Sequence, residues 1–228
     1  SSIALLEVAG TGHDVVRQVP QSRWEAYHLP DWVDEMTGRR TWHGAFMVGA
    51  ELFDAERFDI SAREAQATDP QQRLVLEMSY EALHASGKRK PGLLGSSAGV
   101  ALGICWNEFV QVLEHSPLGR SVYAATGAAL SIASGRVSYA LGLHGPCISI
   151  ETACSASLVA CGSALSGVIH ENCEMHVAAG VSMMLLQSTS VSMAIAGMTS
   201  IKGRCHTFDR RADGFVRGEG CCALLLVA

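Results

Sequence analysis

The sequence predicts an α/β layered domain, and two observations support this prediction. Short apolar stretches alternate with segments whose apolar residues recur at helical spacing, and this order of strand, helix and strand is typical of layered α/β folds. Hydrophobic residues make up 48% of the 228 residues, which is enough for a substantial core, and no repeat, low-complexity tract or linker divides the chain. We therefore predict one domain over residues 1–228.

The first sixty residues predict loops and short helices rather than long elements. Tryptophan, proline and charged residues are mixed there without a sustained period. Residues 18–24 predict a turn that carries Trp24 as an aromatic anchor. We expect Trp24 and Trp42 to be packing residues.

The first long helix is predicted to begin at Pro70. Asp69 suits the N-cap, proline suits the first helical position, and Gln72 is expected to reach back to the cap as in a capping box. Apolar residues then recur at helical spacing as far as Leu83, and Gly87 marks the expected end.

The remaining two thirds of the chain predict four strands and two helices. The strands are expected over 98–104, 147–152, 175–186 and 221–227, and the helices over 127–143 and 158–169. The first and last of these strands are short, apolar and expected to be buried. The second helix directly follows the second of these strands.

One cysteine lies where a predicted strand gives way to a predicted helix. Cys154 follows the alternating stretch 148–152, and Ala153 and Ser155 beside it leave room for a bulky substrate. Only the thiolate is strongly nucleophilic, and the unpaired N–H groups at a helix start stabilise the anion. Cys154 is therefore the candidate catalytic nucleophile. The alternative is a buried cysteine that acts as a small hydrophobic residue.

Charge and composition exclude two classes of partner. The net charge of −5 and the pI near 6.0 give no basic patch of the kind that binds nucleic acid. The apolar stretch 177–186 is followed by polar residues long before the roughly 18 residues that a membrane span requires. Eight cysteines without CxxC spacing indicate a reducing, cytoplasmic compartment.

The charged residues are unevenly distributed. Only 17% of the residues are charged, against about a quarter in a typical soluble protein. The deficit is concentrated over 124–203, where the charged side chains are Arg136, Glu151, Glu171, Glu174 and Lys202. A large subunit or domain interface is therefore expected.

Three further patterns carry less weight. Residues 170–176 offer histidine, cysteine and carboxylate ligands, but no second ligand pair completes a tetrahedron, so no metal is expected. The glycine-rich run 214–220 lacks the lysine and hydroxyl of a phosphate loop. A Cys/His protease stays open as an alternative, although the sequence assigns no histidine to Cys154.

The run 151–158, Glu-Thr-Ala-Cys-Ser-Ala-Ser-Leu, closely resembles the active-site signature of β-ketoacyl synthases, above all the ketosynthase domains of type I polyketide synthases. Further segments agree with the family in order and spacing and cover nearly the whole chain: Val19-Pro20 with Arg23-Trp24, residues 69–73 with Glu77, Gly135-Arg136 with Ser138-Tyr139, residues 141–146, 179–181, 203–209 and 212–220. The chain differs from the family at two positions, where the family usually has aspartate instead of Glu151 and serine instead of Ala156. Both differences are mild, because neither removes the cysteine. Cysteine at 154 argues against loading-type decarboxylases, which carry glutamine there.

The resemblance implies a thiolase-like fold, layered α/β/α around a mixed, mostly parallel sheet. This chain would form most of the N-terminal half, without the family's first strand and its second half. Cys154 would accept an acyl chain from the phosphopantetheine of an acyl carrier protein, and no cofactor of its own is implied. Two histidines of the family's second half would promote decarboxylation of a malonyl extender, whose carbanion attacks the thioester. The isolated chain is therefore expected not to condense.

The resemblance also implies partners. These are the acyl carrier protein, neighbouring synthase domains and a second copy that pairs through the strand containing Ile148 and Ile150. The alternatives are a fatty-acid ketosynthase or another thiolase relative that acts on coenzyme A esters, and a non-catalytic docking or dimerisation module with the same fold.

Overall fold

The computed structural model describes residues 10–25, 29–170 and 173–228. In chain order the helices are α1 (Glu35–Arg39), α2 (Ala62–Gln66), α3 (Pro70–Ala85), α4 (Lys90–Leu93), α5 (Glu108–Glu114), α6 (Ala124–Ala128), α7 (Leu130–Leu141), α8 (Ala156–His170) and α9 (Gln187–Ile195). The strands are β1 (Arg17–Gln18), β2 (His43–Gly44), β3 (Gly99–Ile104), β4 (Cys147–Ile150), β5 (Met175–Ser182) and β6 (Gly220–Val227). Short 3₁₀ turns cover Glu56–Phe58, Pro117–Arg120 and Ala153–Ser155.

The chain forms two compact units. One consists of the residues up to Met47 together with Met184–Glu219, and the other of Val48–Met183 with Gly220–Ala228. The prediction of one domain over residues 1–228 stays a prediction.

In the first unit, a buried carboxylate holds three separate segments. Glu219 accepts a salt bridge from Arg23 at 2.8 Å and hydrogen bonds from the backbone N–H groups of Met47 at 2.8 Å and Met184 at 3.0 Å. The side chain of Glu219 is fully buried, so its charge is compensated by these donors rather than by water. The predicted turn before Trp24 is confirmed by a hydrogen bond from Arg23 N to Pro20 O.

The second unit is built on a four-stranded sheet in the order β4-β3-β5-β6. The strands β4, β3 and β5 run parallel, with Val100 beside Cys147 and Gly99 beside His176. The last strand, β6, pairs antiparallel with β5. The predicted mixed, mostly parallel sheet is therefore confirmed.

Helices cover both faces of this sheet. On one face, α3 and α7 contribute Val75, Leu76, Leu83, Val137 and Leu141 to a core shared with Val100, Leu102 and Ile104 of β3. On the other face, α8 packs against the sheet through alanines. The layers are thus α/β/α, as the resemblance implied.

The outward side of α8 is apolar and exposed. Leu158 is 76% exposed, Leu165 50% and Ile169 60%. By length and composition, residues Ala153–His170 could cross a membrane, which the sequence analysis did not foresee. This is weak evidence, because a core helix of a soluble protein passes the same test.

The predicted start of α3 is confirmed, but its cap differs from the expected capping box. The carboxylate of Asp69 accepts a hydrogen bond from Gln71 N at 2.8 Å. Gln72 does not reach back to the cap. Its side-chain nitrogen instead donates to the carbonyl oxygens of Gly127 at 3.0 Å and Ala129 at 3.2 Å, because the buried start of α3 faces this loop.

These bonds also explain a second correction. A single helix was predicted over 127–143, whereas the structure has α6 and α7 separated at Ala129, which adopts an extended backbone with ψ 122°. A helix ends with unpaired carbonyl groups, and Gln72 satisfies those at the end of α6. Arg136 of α7 donates in turn to Gln72 at 2.8 Å and to Glu64 at 2.6 Å.

Several other boundaries differ by a few residues. The strands predicted over 147–152 and 175–186 end earlier, at Ile150 and Ser182, and the helix predicted from 158 begins at Ala156. The strand predicted over 221–227 is present, but its residues are half-buried or exposed rather than buried. The sequence of this strand has no alternation of polar and apolar residues, so it does not predict which face of the strand is exposed.

We predict that Asp69 makes the stability of the fold depend on pH. Burial raises the pKa of this carboxyl group from 3.8 to about 6, despite the hydrogen bonds from Gln71. The unfolded chain releases this proton near pH 4 and the folded chain near pH 6, so its contribution to stability falls as the pH rises between these values. Asp69→Asn keeps a capping side chain and should remove this decline.

Urea unfolding at pH 4 and pH 7 measures the effect. Relative to the wild type, Asp69→Asn should gain on the order of 2 kcal/mol of unfolding free energy between pH 4 and pH 7. The same difference between the two proteins at both pH values would contradict the prediction.

Candidate active site

Cys154 is exposed in the short turn that joins β4 to α8. The turn is closed by Ser155, whose hydroxyl donates to the carbonyl oxygen of Thr152 at 2.8 Å and lies 2.9 Å from the Thr152 hydroxyl. In the described part of the chain, no hydrogen bond or ion pair involves Cys154. The thiol is thus open to solvent, unlike the buried cysteine considered as the alternative.

The residue before the thiol has an unusual backbone. Ala153 has a φ of 52°, in the left-handed region that residues with a Cβ seldom adopt. Such conformations cost free energy and persist where surrounding contacts enforce them. Here the chain must reverse direction within a few residues, from β4 into a helix that lies on the same sheet.

Two glycines allow the first turn of α8 to rest directly on the sheet. Gly103 of β3 and Gly180 of β5 are paired in the sheet. A Cβ built on Gly103 would lie 2.5 Å from the backbone of Ala156 and Ser157, and one on Gly180 would overlap the Ser157 side chain. Because the neighbouring atoms at Gly103 are backbone, no side-chain rotation would relieve the overlap. The contact at Gly103 therefore sets the distance between the sheet and the turn that contains Cys154.

The close approach continues along the helix. The next contact consists of four buried alanines: Ala101, Ala160, Ala164 and Ala178. Beyond them, the ring of His176 packs against Gly99 and lies 2.5 Å from where a Cβ of Gly167 would be. We call these three successive contacts the small-residue ladder. Along the ladder α8 runs antiparallel to β3, so the start of the helix points to the carboxyl edge of the sheet.

The loops at that edge are fastened by Gln71 of α3. Its side-chain nitrogen donates to the carbonyl oxygen of Trp106 at 3.2 Å, and its oxygen accepts from Met183 N at 3.2 Å. Trp106 follows β3 with a φ of 70°, and Met183 follows β5. Gln71 thus joins the two loops next to the one that carries Cys154.

A cleft of about 950 Å³ opens beside these loops. It lies between α5, the turn Pro117–Arg120 and α6, and its rim includes Asn107, which closely follows β3. Alanine methyl groups from Ala124, Ala125, Ala128 and Ala129 line one wall, and Glu114, His115 and Arg120 also line the cleft. This volume is in the range of small-molecule sites.

The other candidate patterns lie elsewhere. His170 ends α8 and His176 is buried on β5, while residues 171 and 172 lie outside the described residues. Among the described residues, no group of three or more histidine, cysteine or carboxylate side chains is arranged to hold a metal ion. In the glycine-rich run, Gly214 has a φ of 135°, a conformation that favours glycine, and Gly220 begins β6.

An exposed thiol at the start of a helix, held above the carboxyl edge of a layered sheet, can attack and carry an acyl group. This arrangement defines a class of α/β protein with an exposed cysteine between a strand and a helix. The family model for "Beta-ketoacyl synthase, N-terminal domain" matches residues 5–228. The chain therefore belongs to the β-ketoacyl synthase family.

Relatives and solved structures agree with this assignment. The mycocerosic acid synthase-like polyketide synthase of Mycolicibacterium smegmatis is 41% identical over 97% of this chain and 11% of its own length. A phenolphthiocerol/phthiocerol polyketide synthase component of Mycobacterium tuberculosis is 41% identical over 94% of this chain and 14% of its own length. This chain thus corresponds to a small part of these synthases.

Two ketosynthase structures have the same fold. The ketosynthase from module 6 of the bacillaene synthase of Bacillus subtilis 168 is 33% identical, with a TM-score of 0.85 over 98% of this chain and 37% of that one. The oxazolomycin ketosynthase domain from Streptomyces albus JA3453 is 31% identical, with a TM-score of 0.84 over 96% of this chain and 38% of that one. The predicted thiolase-like fold is confirmed.

Sequence reasoning missed the residues that position the thiol. Gly103 and Gly180 lie inside apolar strands, and a lone glycine in a strand is a signal of close backbone approach that could have found them. For Gln71 the sequence predicts a place in a helix start and in the family-like segment 69–73, but not its contacts. Its hydrogen bonds link residues distant in sequence, so no local pattern predicts them.

We predict that Gly103→Ala displaces the turn that carries Cys154. The added Cβ would meet backbone atoms at 2.5 Å, so the helix start must shift, and the cost should be about 1–3 kcal/mol of unfolding free energy. Gly162→Ala is the control. Gly162 lies in α8, and a Cβ added there would meet nothing within 4 Å. That variant should stabilise α8 by up to about 1 kcal/mol.

Urea unfolding and the rate of iodoacetamide labelling of Cys154 measure the two effects. Gly103→Ala should change the labelling rate severalfold in protein that is still folded, whereas Gly162→Ala should leave it unchanged. Equal behaviour of the two variants would show that the glycine contact does not position the turn.

Proposed function

We propose that this chain contributes the acyl-accepting half of a ketosynthase in polyketide synthesis. The thiolate of Cys154 attacks the thioester of an acyl chain carried on the phosphopantetheine of an acyl carrier protein. The new thioester forms on Cys154, and the carrier leaves with its free thiol. A malonyl-type extender, bound to a second carrier, then loses carbon dioxide, and its carbanion attacks the acyl group on Cys154.

The observation that carries this proposal is the exposure of Cys154 at the start of α8. Backbone N–H groups at a helix start are oriented toward the thiolate and toward the oxyanion of an acyl-transfer intermediate. The cleft of about 950 Å³, whose lining includes Asn107 but no residue of the turn that contains Cys154, is large enough for an acyl chain. The eight cysteines lack CxxC spacing, which favours a reducing, cytoplasmic compartment where the thiol stays reduced.

The reaction has two steps, formation of the thioester on Cys154 and condensation with the extender, and they require different residues. Accepting the acyl group requires the thiol and its backbone surroundings, which this chain contains. Decarboxylation of the extender requires, by the family resemblance, two histidines from the second half of the fold. The 228-residue chain is therefore proposed to acylate but not to condense.

We predict that acyl transfer to this chain depends on Cys154. Incubation with an acyl-loaded carrier protein should add one acyl group to the peptide that contains Cys154, as measured by mass spectrometry, and Cys154→Ala should abolish it. Cys161→Ala removes a half-buried thiol of the same helix and should leave the acylation unchanged. Addition of a malonyl-loaded carrier should give no condensation product.

Each outcome bears on a different part of the proposal. Acylation of other thiols instead of Cys154 would contradict the nucleophile assignment and favour a docking module without turnover. Carbon–carbon bond formation by the chain alone would contradict the proposed division between the two halves. Acylation from a coenzyme A ester but never from a carrier would favour a different thiolase relative.

We also propose that two copies pair through β4. This strand lies at one edge of the sheet, and Ile148 on it is 45% exposed. Among the described strands, none pairs with its outer side, so its backbone groups are available to a second copy. The low charge of the surrounding sequence fits a buried contact.

We predict that a proline in β4 weakens this dimer. The N–H of Ile148 faces β3, because Val100 N donates to Pro146 O beside Cys147, whereas the N–H of Cys147 faces outward. Cys147→Pro removes this outward donor and Cys147→Ala keeps it. Light scattering should report a dimer for the wild type and for Cys147→Ala, and mostly monomer for Cys147→Pro. A monodisperse monomer for the wild type would contradict the proposal.

A further inference from the structure

A second thiol lies beside the proposed nucleophile. Cys105 directly follows β3 and is half-buried. Its sulfur donates a hydrogen bond to Glu151 Oε1 at 3.8 Å, and Glu151 directly follows β4, three residues before Cys154. Cys105 therefore borders the loop that carries the nucleophile, on the neighbouring strand.

The small-residue ladder brings the two cysteines to the same place. Along β3, every second residue faces α8, and the residue after Ala101 and Gly103 in this series is Cys105. Along α8, the residues that precede Ala156, which rests on Gly103, form the turn that contains Cys154. Strand and helix thus both lead from the Gly103 contact to the same edge, where one ends in Cys105 and the other begins at Cys154.

Three of the other thiols are worse placed to reach Cys154. Cys147 begins β4 and lies at the opposite end of that strand. Cys161 lies nearly two turns further along α8. Cys221 lies on β6, and burial raises the pKa of its thiol to about 12, which suppresses its thiolate.

We propose that Cys105 and Cys154 are a redox-responsive pair, in which Cys105 resolves an oxidised nucleophile. A hydroperoxide transfers one oxygen to the Cys154 thiolate, giving a sulfenic acid, and is itself reduced to water or an alcohol. The Cys105 sulfur then attacks the Cys154 sulfur, and a disulfide forms while hydroxide leaves. Glu151 accepts the proton of the Cys105 thiol and passes it to that hydroxide, so the second product is water.

The consequence is a protected nucleophile. A sulfenic acid without a partner thiol is oxidised further to sulfinic acid, which thiols do not reduce. A disulfide stops acyl transfer while it lasts, and a dithiol reverses it. The inference rests on the reactive Cys154 thiol of the proposed function, but not on a carrier protein or on condensation.

The experiment treats the full 228-residue chain with hydrogen peroxide and maps its cysteines by mass spectrometry. The expected result is a peptide pair joined through Cys105 and Cys154, with the loss of two hydrogen atoms and full recovery of Cys154 labelling after dithiothreitol. In Cys105→Ser the pair should be absent and the recovered labelling should fall roughly fivefold. The control Cys161→Ser should behave as the wild type.

Glu151 is tested as a positioning residue. Glu151→Gln removes the proton acceptor and should slow disulfide formation, while the first oxidation of Cys154, trapped with dimedone, stays unchanged. Glu151→Asp keeps the charge and should restore part of the rate. Circular dichroism checks that each variant is folded.

Two results would overturn the inference: a disulfide between Cys154 and any other cysteine, or equal sulfinic acid at Cys154 in the wild type and in Cys105→Ser. In both cases acylation of Cys154 by a loaded carrier would still support the proposed function. Failure of both oxidation and acylation at Cys154 would count against the proposed function itself.

Discussion

The close contact between α8 and the sheet is the constraint on which the rest of this structure depends. Glycines and alanines occupy the first two contacts of the small-residue ladder, where the helix backbone rests almost directly on the strands, and the ring of His176 fills the third contact between Gly99 and Gly167. Protein interiors are packed densely, and a single added methyl group is felt where backbone meets backbone. The ladder therefore fixes both the height and the direction of α8. The thiol at the start of that helix takes its position from these contacts rather than from hydrogen bonds of its own.

A second constraint acts on the opposite face of the sheet. Gln71 and Gln72 are buried at the start of α3, where unpaired amides would be costly. Gln71 joins the loops after β3 and β5, and Gln72 satisfies the carbonyl groups between α6 and α7. Arg136 orients Gln72 and is itself compensated by Glu64. Two adjacent side chains of one helix thus organise three loops near the edge that carries Cys154.

Much of the fold follows from local sequence, and the reasons for the exceptions are physical. Proline and the N-cap acid predicted the start of α3, and apolar stretches predicted the four strands of the sheet. The interruption at Ala129 was not predictable, because it depends on Gln72, more than fifty residues away. The strand that ends at Ser182 was predicted too long, because apolar residues continue into a loop that is itself buried. Met183 and Met184 are examples of such residues, since both are buried beyond the end of β5. The strand that ends at Ile150 was also predicted too long, because Glu151 and Thr152 lie exposed in the approach to the Cys154 turn.

The site was only partly predictable for the same reason. Cys154 is recognisable from its neighbours, since small residues between a strand and a helix form a local pattern. Cys105 is not, because its relation to Cys154 depends on the parallel pairing of β3 with β4 and on the direction of α8. The membrane-length apolar stretch was also missed, because serine, glycine and cysteine dilute it in the sequence while its outward side remains apolar.

The cleft wall has a consequence for how such a domain can diversify. Its alanines already carry the smallest side chains compatible with regular helix, so replacement by almost any other residue makes the space narrower. The segment between α6 and α7 is held through its backbone carbonyl groups, which accept hydrogen bonds from Gln72. These bonds do not depend on the side chains of that segment. Point mutations can therefore change the volume of this cleft one side chain at a time, without moving the sheet or the Cys154 sulfur.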